Sequence, residues 1–301
     1  MSGNCLNIGD LRKAYARNEN IAQLLSEQGC VDREEVIEIS YDIQSGSYTN
    51  FALSDPDRLQ HYAKEIHDLC SGFISDHDSI LDCGAGELTT LSALSHHLPE
   101  HIRLLACDIS LSRLHLGRRF AEKNMRSDLA KNLNLFVADM AMMPLADNSV
   151  DAVFTSHALE PNHGREACLL SELLRIARRH LVLFEPSWEN ATAAAKSRMV
   201  KHGYVRDLPR HIEEAGGRLL SVEPLPHPLN PMNPTFCYIV EVVDQSGCKE
   251  NLGHLFQCPR SGFALQKRSN YWWSLEGGFA YPEIEEISCL RPKHGVLMSH
   301  G

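Results

Sequence analysis

The stretch Ser79-Ile80-Leu81-Asp82-Cys83-Gly84-Ala85-Gly86-Glu87 decides the fold of this chain. An apolar run ends at an acidic residue, a turn with two glycines follows, and residues 88–94 are again mostly apolar. This order predicts a buried strand, a tight loop and the start of a helix. Glycines allow a positive φ or a close backbone approach, and the free N–H groups of a helix start attract an anionic group. We therefore expect a nucleotide-type site at the carboxyl end of a strand, although the third glycine of the dinucleotide fingerprint is absent.

Apolar strands alternate with helical stretches from residue 79 onward, and this alternation predicts an α/β fold with a largely parallel sheet. The predicted strands cover residues 80–83, 104–108, 133–138, 152–155, 181–184, 218–223 and 236–243, and the predicted helices cover 87–97, 111–124, 166–179 and 209–215. A proline-rich connection over 224–234 without helical character joins the last two strands. We expect these two strands to pair antiparallel.

Residues 1–75 predict a helical N-terminal extension, with helices over 10–29 and 57–69. The polar-aromatic segment 40–48 lies between them and carries Tyr41 and Tyr48. This segment is either a surface turn with half-buried rings or a lid that covers a ligand and hydrogen-bonds it.

Composition narrows the class of protein. A formal charge of −10 argues against a broad phosphate-binding surface. No apolar run has the length needed to span a bilayer, and the N-terminus has no signal-peptide pattern. The ten cysteines are scattered without a Cys-x-x-Cys pair, so we expect most of them to be buried, reduced thiols. These features predict a soluble cytoplasmic protein, with a homodimer as an open alternative.

Acidic residues end three successive predicted strands. Asp108 follows the glycine loop by about 20 residues, the spacing at which an acid binds ribose hydroxyls. Asp139 suits the amino group of an adenine, and Met140 suits the face of its ring. Any one of these acids alone could cap a helix or begin a turn. Together with Asp82, however, they predict one ligand site at one edge of the sheet.

The motifs 81–86, 108–110, 138–139 with 143–145 and 148–151, and the strand leading to His157 resemble the class I S-adenosylmethionine-dependent methyltransferases. The likeness covers roughly residues 40–245 and is strongest to the small-molecule type typified by the quinone methyltransferases. It implies a Rossmann-like, seven-stranded, mostly parallel sheet with the last strand antiparallel, and S-adenosylmethionine as cofactor. The cofactor-binding residues implied by the resemblance are Asp82, Gly84, Ala85, Gly86, Asp108, Ile109, Asp139, Met140, Ser156 and His157.

Methyl transfer from a sulfonium chiefly requires alignment of the reacting atoms and exclusion of water. A base matters only when the acceptor is protonated, and the candidate catalytic residues are His157, Glu160 and Glu185, with His163 as a further candidate. His157 is either such a base or a structural hydrogen-bonding residue. No metal ligand is expected. The candidate acceptor-binding residues are Tyr41, Tyr48, Trp188 and Tyr204, of which the last two form either an acceptor wall or a packed surface.

The composition shifts after Val243 at a predicted linker over 244–247. Residues 254–262 and 278–290 are similar to the zinc-ribbon-like Trm112-like module, a small unit that supports methyltransferases and opens with Cys-Pro-x-Cys. Ser261 stands at the place of the second cysteine, and Cys258 and Cys289 are far apart, so we expect a metal-free β module. It would pack on the catalytic domain or on a second subunit. The predicted divisions are thus an extension or lid at 1–75, the cofactor-binding domain at 76–245 and this module at 246–301.

The leading functional hypothesis is transfer of a methyl group to a small-molecule acceptor by in-line displacement. An RNA or protein methyltransferase is a second hypothesis, suggested by the C-terminal module but disfavoured by the acidic balance and by the absence of an Asn-Pro-Pro-Tyr type tetrapeptide after the fourth strand. A third uses the same donor for aminocarboxypropyl transfer or intramolecular cyclisation, which releases methylthioadenosine. A non-catalytic cofactor-binding protein is the fourth, and the intact glycine loop disfavours it.

Overall fold

The computed structural model describes residues 7–30, 32–230, 232–243 and 254–301, and the predicted linker over 244–247 lies outside these ranges. A long central sheet organises the chain. Its first seven strands are β1 (Ser79–Cys83), β2 (Arg103–Asp108), β3 (Asn134–Val137), β4 (Val150–Ser156), β5 (Ala177–Pro186), β6 (Gly217–Pro224) and β7 (Thr235–Val242). The C-terminal strands are β8 (Gln266–Lys267), β9 (Tyr271–Ser274), β10 (Phe279–Ile284), β11 (Ile287–Cys289) and β12 (Val296–Leu297).

Helices precede the sheet and cover both of its faces. Five come first: α1 (Ile8–Ala16), α2 (Ile21–Glu27), α3 (Arg33–Ile43), α4 (Ser47–Ser54) and α5 (Pro56–Cys70). The others are α6 (Thr89–Leu94), α7 (Leu111–Asn124), α8 (Ser127–Asn132), α9 (Glu166–Ile176), α10 (Ala193–His202) and α11 (Leu208–Glu214).

The strand order β6-β7-β5-β4-β1-β2-β3 confirms the predicted Rossmann-like α/β sheet. Strands β1 to β5 pair in parallel, and β7 runs antiparallel to both β5 and β6. Successive residues of a strand point to opposite faces, so Ile80 packs with α5, α6 and α7 on one side. Leu81 packs with α9 and α11 on the other side. Burial on both faces explains why these strands are almost continuously apolar.

Several predicted helix bounds are wrong for local reasons. The helix predicted over 10–29 is two helices, because Asn18 takes a left-handed φ of 60° and Asn20 caps α2 by accepting from Gln23 N. The helix predicted over 87–97 shrinks to α6, since Leu88 is itself left-handed. The helix predicted over 166–179 ends at Ile176, where the next residues pair with β4. Segment 40–48 contains the end of α3, a turn over 44–46 and the start of α4.

The C-terminal module continues the central sheet. Strand β11 pairs in parallel with β3, in the register Ser288 with Phe136 and Cys289 with Val137. Strands β10, β9 and β8 then extend the sheet by antiparallel pairing. Hydrophobic residues of the module, among them Phe256, join the core under α9. The module therefore packs on the sheet and the core of its own chain.

Cysteine burial agrees with the sequence-based expectation. Eight cysteines of the described part of the chain are free thiols, and six of these are buried. In the module, Cys258 Sγ lies 3.4 Å from Tyr281 Oη, and Cys289 Sγ lies 3.8 Å from the Ile287 carbonyl oxygen. No described helix is long and apolar enough to cross a membrane.

Candidate active site

The glycine loop between β1 and α6 is held against the end of β2. The Gly84 and Ala85 amides both donate to the Cys107 carbonyl, at 2.8 and 2.9 Å. Gly84 has a φ of +82°, and a Cβ on it would lie 2.3 Å from Ala158 Cβ. Only glycine fits this position, because both the backbone conformation and the space exclude a side chain.

The three predicted acids lie at one edge of the sheet, and all three are buried. Asp108 accepts from the amides of Gly86 and Ser110, each at 2.9 Å. Asp139 accepts from a backbone amide two residues later at 2.9 Å. Asp82 has no hydrogen-bond partner among the described residues, and burial together with the charge of Asp108 raises its pKa to about 7. The site therefore holds three buried carboxyl groups at one edge of the sheet. Among the described residues, Asp82 has no cationic partner.

Two adjacent cavities open at this edge and share Tyr41, Gly84, Arg113 and His157. The smaller cavity has a volume of about 90 Å³, and the larger one about 540 Å³. Between them they are lined by every predicted cofactor-binding residue. Asp108, Ile109, Asp139 and Met140 line the smaller cavity, Asp82, Ala85, Gly86 and Ser156 line the larger one, and Gly84 and His157 line both.

Helices α3 and α4 bring the two N-terminal tyrosines to the cavities. Tyr41 and Tyr48 contact the Arg113 guanidinium, which lies 5.1 and 4.6 Å from the centres of their rings. The buried Glu87 carboxylate accepts from the amides of Gly46 and Thr49, at 3.0 and 2.8 Å, and so caps the start of α4. Glu87 therefore ties the start of α4, within the segment 40–48, to the glycine loop.

His157 and Glu160 form a pair in the wall of the larger cavity. His157 Nδ1 lies 2.9 Å from Glu160 Oε2, and His157 Nε2 lies 3.2 Å from Thr235 Oγ1. Burial lowers the pKa of His157, but the hydrogen bond and charge of Glu160 outweigh this effect and the net pKa is raised. Both ring nitrogens of His157 are therefore engaged in hydrogen bonds.

Glu185 and Trp188 line neither cavity. The buried Glu185 carboxylate accepts from Thr155 Oγ1 and from the amides of residues 158–160, at 2.9 to 3.1 Å. Burial raises the pKa of Glu185 to about 7. Trp188 stacks with Arg206, whose guanidinium lies 4.6 Å from the ring centre. His163 pairs with Glu166 at 2.8 Å and also lies outside both cavities. Tyr204 does line the larger cavity.

Sequence reasoning missed several residues that line the larger cavity, among them Tyr62, Glu87, Arg113, Arg198 and Asn233. Tyr62 counts as apolar in the helical pattern, yet its hydroxyl lies 3.3 Å from Ser156 Oγ. Arg113 occupies a position on the buried face of α7, between Leu114 and the glycine loop. A charged residue on an otherwise apolar helix face is the signal that could have revealed it.

A family profile described as a methyltransferase domain matches residues 80–182. No curated protein matches the chain. Solved structures do match. One is a chain of a complex between the Haloferax volcanii Trm112 methyltransferase activator and a methyltransferase, with 16% identity, a TM-score of 0.51, and coverage of 65% of this chain and 95% of that one.

Two further structures are similar at lower TM-scores. A methyltransferase dependent on S-adenosylmethionine from Aquifex aeolicus has 20% identity, a TM-score of 0.47, and coverage of 64% of this chain and 95% of its own. Geranyl diphosphate C-methyltransferase from Streptomyces coelicolor has 11% identity, a TM-score of 0.49, and coverage of 66% and 86% respectively. The profile match falls on the segment that carries the glycine loop and the three acids. Residues 80–182 therefore match a methyltransferase domain, which supports an enzyme that uses S-adenosylmethionine as its cofactor.

Proposed function

We propose that this enzyme methylates a small molecule bound in the larger cavity. The observation that carries the proposal is the junction of the two cavities at Gly84 and His157, with Asp108 and Asp139 in the smaller cavity and Asp82 beside the glycine loop in the larger one. A donor that extends from one cavity into the other would present its reactive carbon to an acceptor in the larger one. Transfer then depends on alignment of the reacting atoms and on exclusion of water.

The residues present fit the cofactor in charge and in hydrogen bonding. Asp108 and Asp139 have acceptor capacity left for ribose hydroxyls and for an adenine amino group. Asp82 lacks a counter-cation, and a methionyl ammonium group would supply one. Arg113 Nε is a buried donor that makes no hydrogen bond among the described residues, although it lies 3.8 Å from Glu87 Oε1, and it suits a carboxylate. The bound cofactor supplies an electrophilic methyl group on a sulfonium.

The larger cavity has the character of a small-molecule site. Phe51, Leu59 and Leu229 provide apolar surface, and tyrosine hydroxyls from three helices provide directional polar contacts. Glu160 reaches the same wall and is held by His157 and by Asn233 Nδ2, at 2.9 and 3.4 Å. We assign to this His157–Glu160 pair the removal of a proton from a protonated acceptor. A cavity of about 540 Å³ suits a metabolite better than a folded RNA or protein.

Product analysis tests the proposal. The protein is incubated with S-adenosylmethionine and a pool of small metabolites, and the products are separated by mass spectrometry. We expect S-adenosylhomocysteine together with an acceptor heavier by one methylene. Methylthioadenosine as the product would instead establish aminocarboxypropyl transfer or cyclisation. Turnover only with RNA or protein in place of metabolites would refute the small-molecule assignment.

A further inference from the structure

The C-terminal module reaches the cofactor edge of the sheet through one arginine. Because β11 runs parallel to β3, the residues after both strands emerge at the same edge. The amide of Leu290 continues this pairing by donating to the Val137 carbonyl at 2.9 Å. The register therefore brings Arg291 to the level of Asp139, one strand further out.

Arg291 is 3% exposed and connects the module to α3. Its guanidinium donates to Glu38, and its Nη2 lies 3.6 Å from Glu34 Oε2. Lys293 makes a second contact with Glu38. These contacts join a residue of the module to the helix that carries Tyr41 to the cavities.

Glu34 is the link between this contact and the smaller cavity. It lines that cavity together with Asp139, and Arg165 Nη2 donates to it at 3.2 Å from the opposite side. Burial raises the pKa of Glu34, as do a hydrogen bond and the charge of Asp139, whereas Arg165 and Arg291 act in the opposite sense. Glu34 and Asp139 thus lie together at the adenine end of the site. The positive charges of Arg165 and Arg291 offset their negative charges.

We propose that Arg291 is a positioning residue of the cofactor site: through Glu34 and Glu38 it holds α3 over the smaller cavity and offsets the negative charge beside Asp139. The C-terminal module is by this account a working part of the cofactor site. The inference rests on the proposed binding of the adenine end in that cavity. Burial of a charged side chain is costly unless it is paired. A module that only extended the sheet would have no need of a buried arginine that pairs with α3.

Calorimetry with S-adenosylhomocysteine tests this role. We expect Arg291→Met to weaken binding by about tenfold at pH 8 relative to the wild type. The ratio of the two dissociation constants should fall as the pH is lowered, since protonation of Glu34 relieves its repulsion with Asp139. The charged groups that face Glu34 are Asp139, Arg165 and Arg291, and Glu38, on the same helix as Glu34, pairs with Arg291. Glu34→Gln added to Arg291→Met should restore most of the lost affinity.

Two controls separate this role from a loss of folding. Glu286→Gln also removes an ion pair between the module and the domain, the contact with Arg118 on α7, and should leave binding unchanged. Arg291→Lys keeps the charge and should retain most of the affinity if Arg291→Met proves unstable. Hydrogen exchange of the α3 amides in ligand-free protein should accelerate in Arg291→Met and not in Glu286→Gln.

The outcomes for the two proposals are distinct. Wild-type protein that does not bind S-adenosylhomocysteine would refute the proposed site, while the exchange of α3 still tests Arg291. Wild-type binding with equal affinity in Arg291→Met, or a ratio that does not depend on pH, would overturn the role of Arg291. Unchanged exchange of α3 in Arg291→Met would overturn it as well.

Discussion

Asp82 offers a direct test of the cofactor site, because its carboxyl is 3% exposed and its pKa is raised to about 7 by burial and by the charge of Asp108. Only the ionised form can pair with a methionyl ammonium group. With a pKa of about 7, roughly 9% of Asp82 is ionised at pH 6 and roughly 91% at pH 8. We therefore expect the affinity for S-adenosylhomocysteine to rise by about tenfold over this interval.

The raised pKa of Asp82 also predicts how the stability of the ligand-free protein depends on pH. A carboxyl whose pKa is raised on folding binds its proton more tightly in the folded state. The contribution of Asp82 is therefore fully present below its usual pKa of 3.8, and it is lost as the pH rises through about 7. The free energy of unfolding falls by at most about 4 kcal/mol from this group.

Asp82→Asn separates binding from stability. The amide has nearly the same shape but carries no charge at any pH, so the tenfold pH dependence of affinity should disappear. Affinity at pH 8 should fall, and the ligand-free variant should unfold at a higher temperature than the wild type at that pH. Calorimetry and thermal denaturation at several pH values measure both effects.

A matched control is Asp68→Asn, which changes a half-exposed carboxylate on α5 and should leave both pH profiles as they are in the wild type. An affinity that does not change with pH in the wild type would refute the reasoning. So would a pH dependence that persists in Asp82→Asn, since another group would then be titrating.

Three further substitutions test the structure around the cavities. Asp108→Ala removes the acceptor of two backbone amides, and calorimetry should show at least about tenfold weaker S-adenosylhomocysteine binding. Glu185→Gln sets an NH₂ group against an amide donor, and thermal denaturation should show a loss of about 1–3 kcal/mol in unfolding free energy. Gly117→Ala places a Cβ 2.6 Å from the Glu87 backbone, and Tm should drop, whereas Gly72→Ala has open space and should keep its Tm.

Each of these predictions has a result that contradicts it. Full affinity in Asp108→Ala would remove the ribose assignment. An unchanged unfolding free energy in Glu185→Gln would show that the turn at 158–160 does not depend on that carboxylate. Equal Tm values for Gly117→Ala and Gly72→Ala would show that α7 can move away from the glycine loop at no cost.

Local sequence determined much of the catalytic domain. The glycine loop, the bounds Leu111–Asn124 of α7 and the acids after β1, β2 and β3 are all readable without the structure. The reason is that capping, strand periodicity and glycine conformations depend on residues close in the chain. Parallel strands also end at a common edge, so the acids come together in any fold of this class.

Other features depend on neighbours that are remote in the chain. Glu185 ends a strand just as Asp82 does, yet it faces a turn and not a cavity, because β5 and the 158–160 turn pack together. Trp188 is an aromatic residue near the expected site, but its ring stacks on Arg206. Residue type and sequence position predicted a site role for both Glu185 and Trp188. Only the packing shows that neither side chain lines a cavity.

The place of the C-terminal module is the clearest case. Its sequence indicated β structure and nothing about which edge of the sheet it would join. Pairing of β11 with β3 is a contact between residues about 150 positions apart, and its register is set by which side chains become buried on each face. The sequence by itself determined the glycine loop and the acids at the strand ends, since these follow from local backbone preferences. Only the tertiary structure decided that Arg291 reaches α3, because that depends on how two distant strands align.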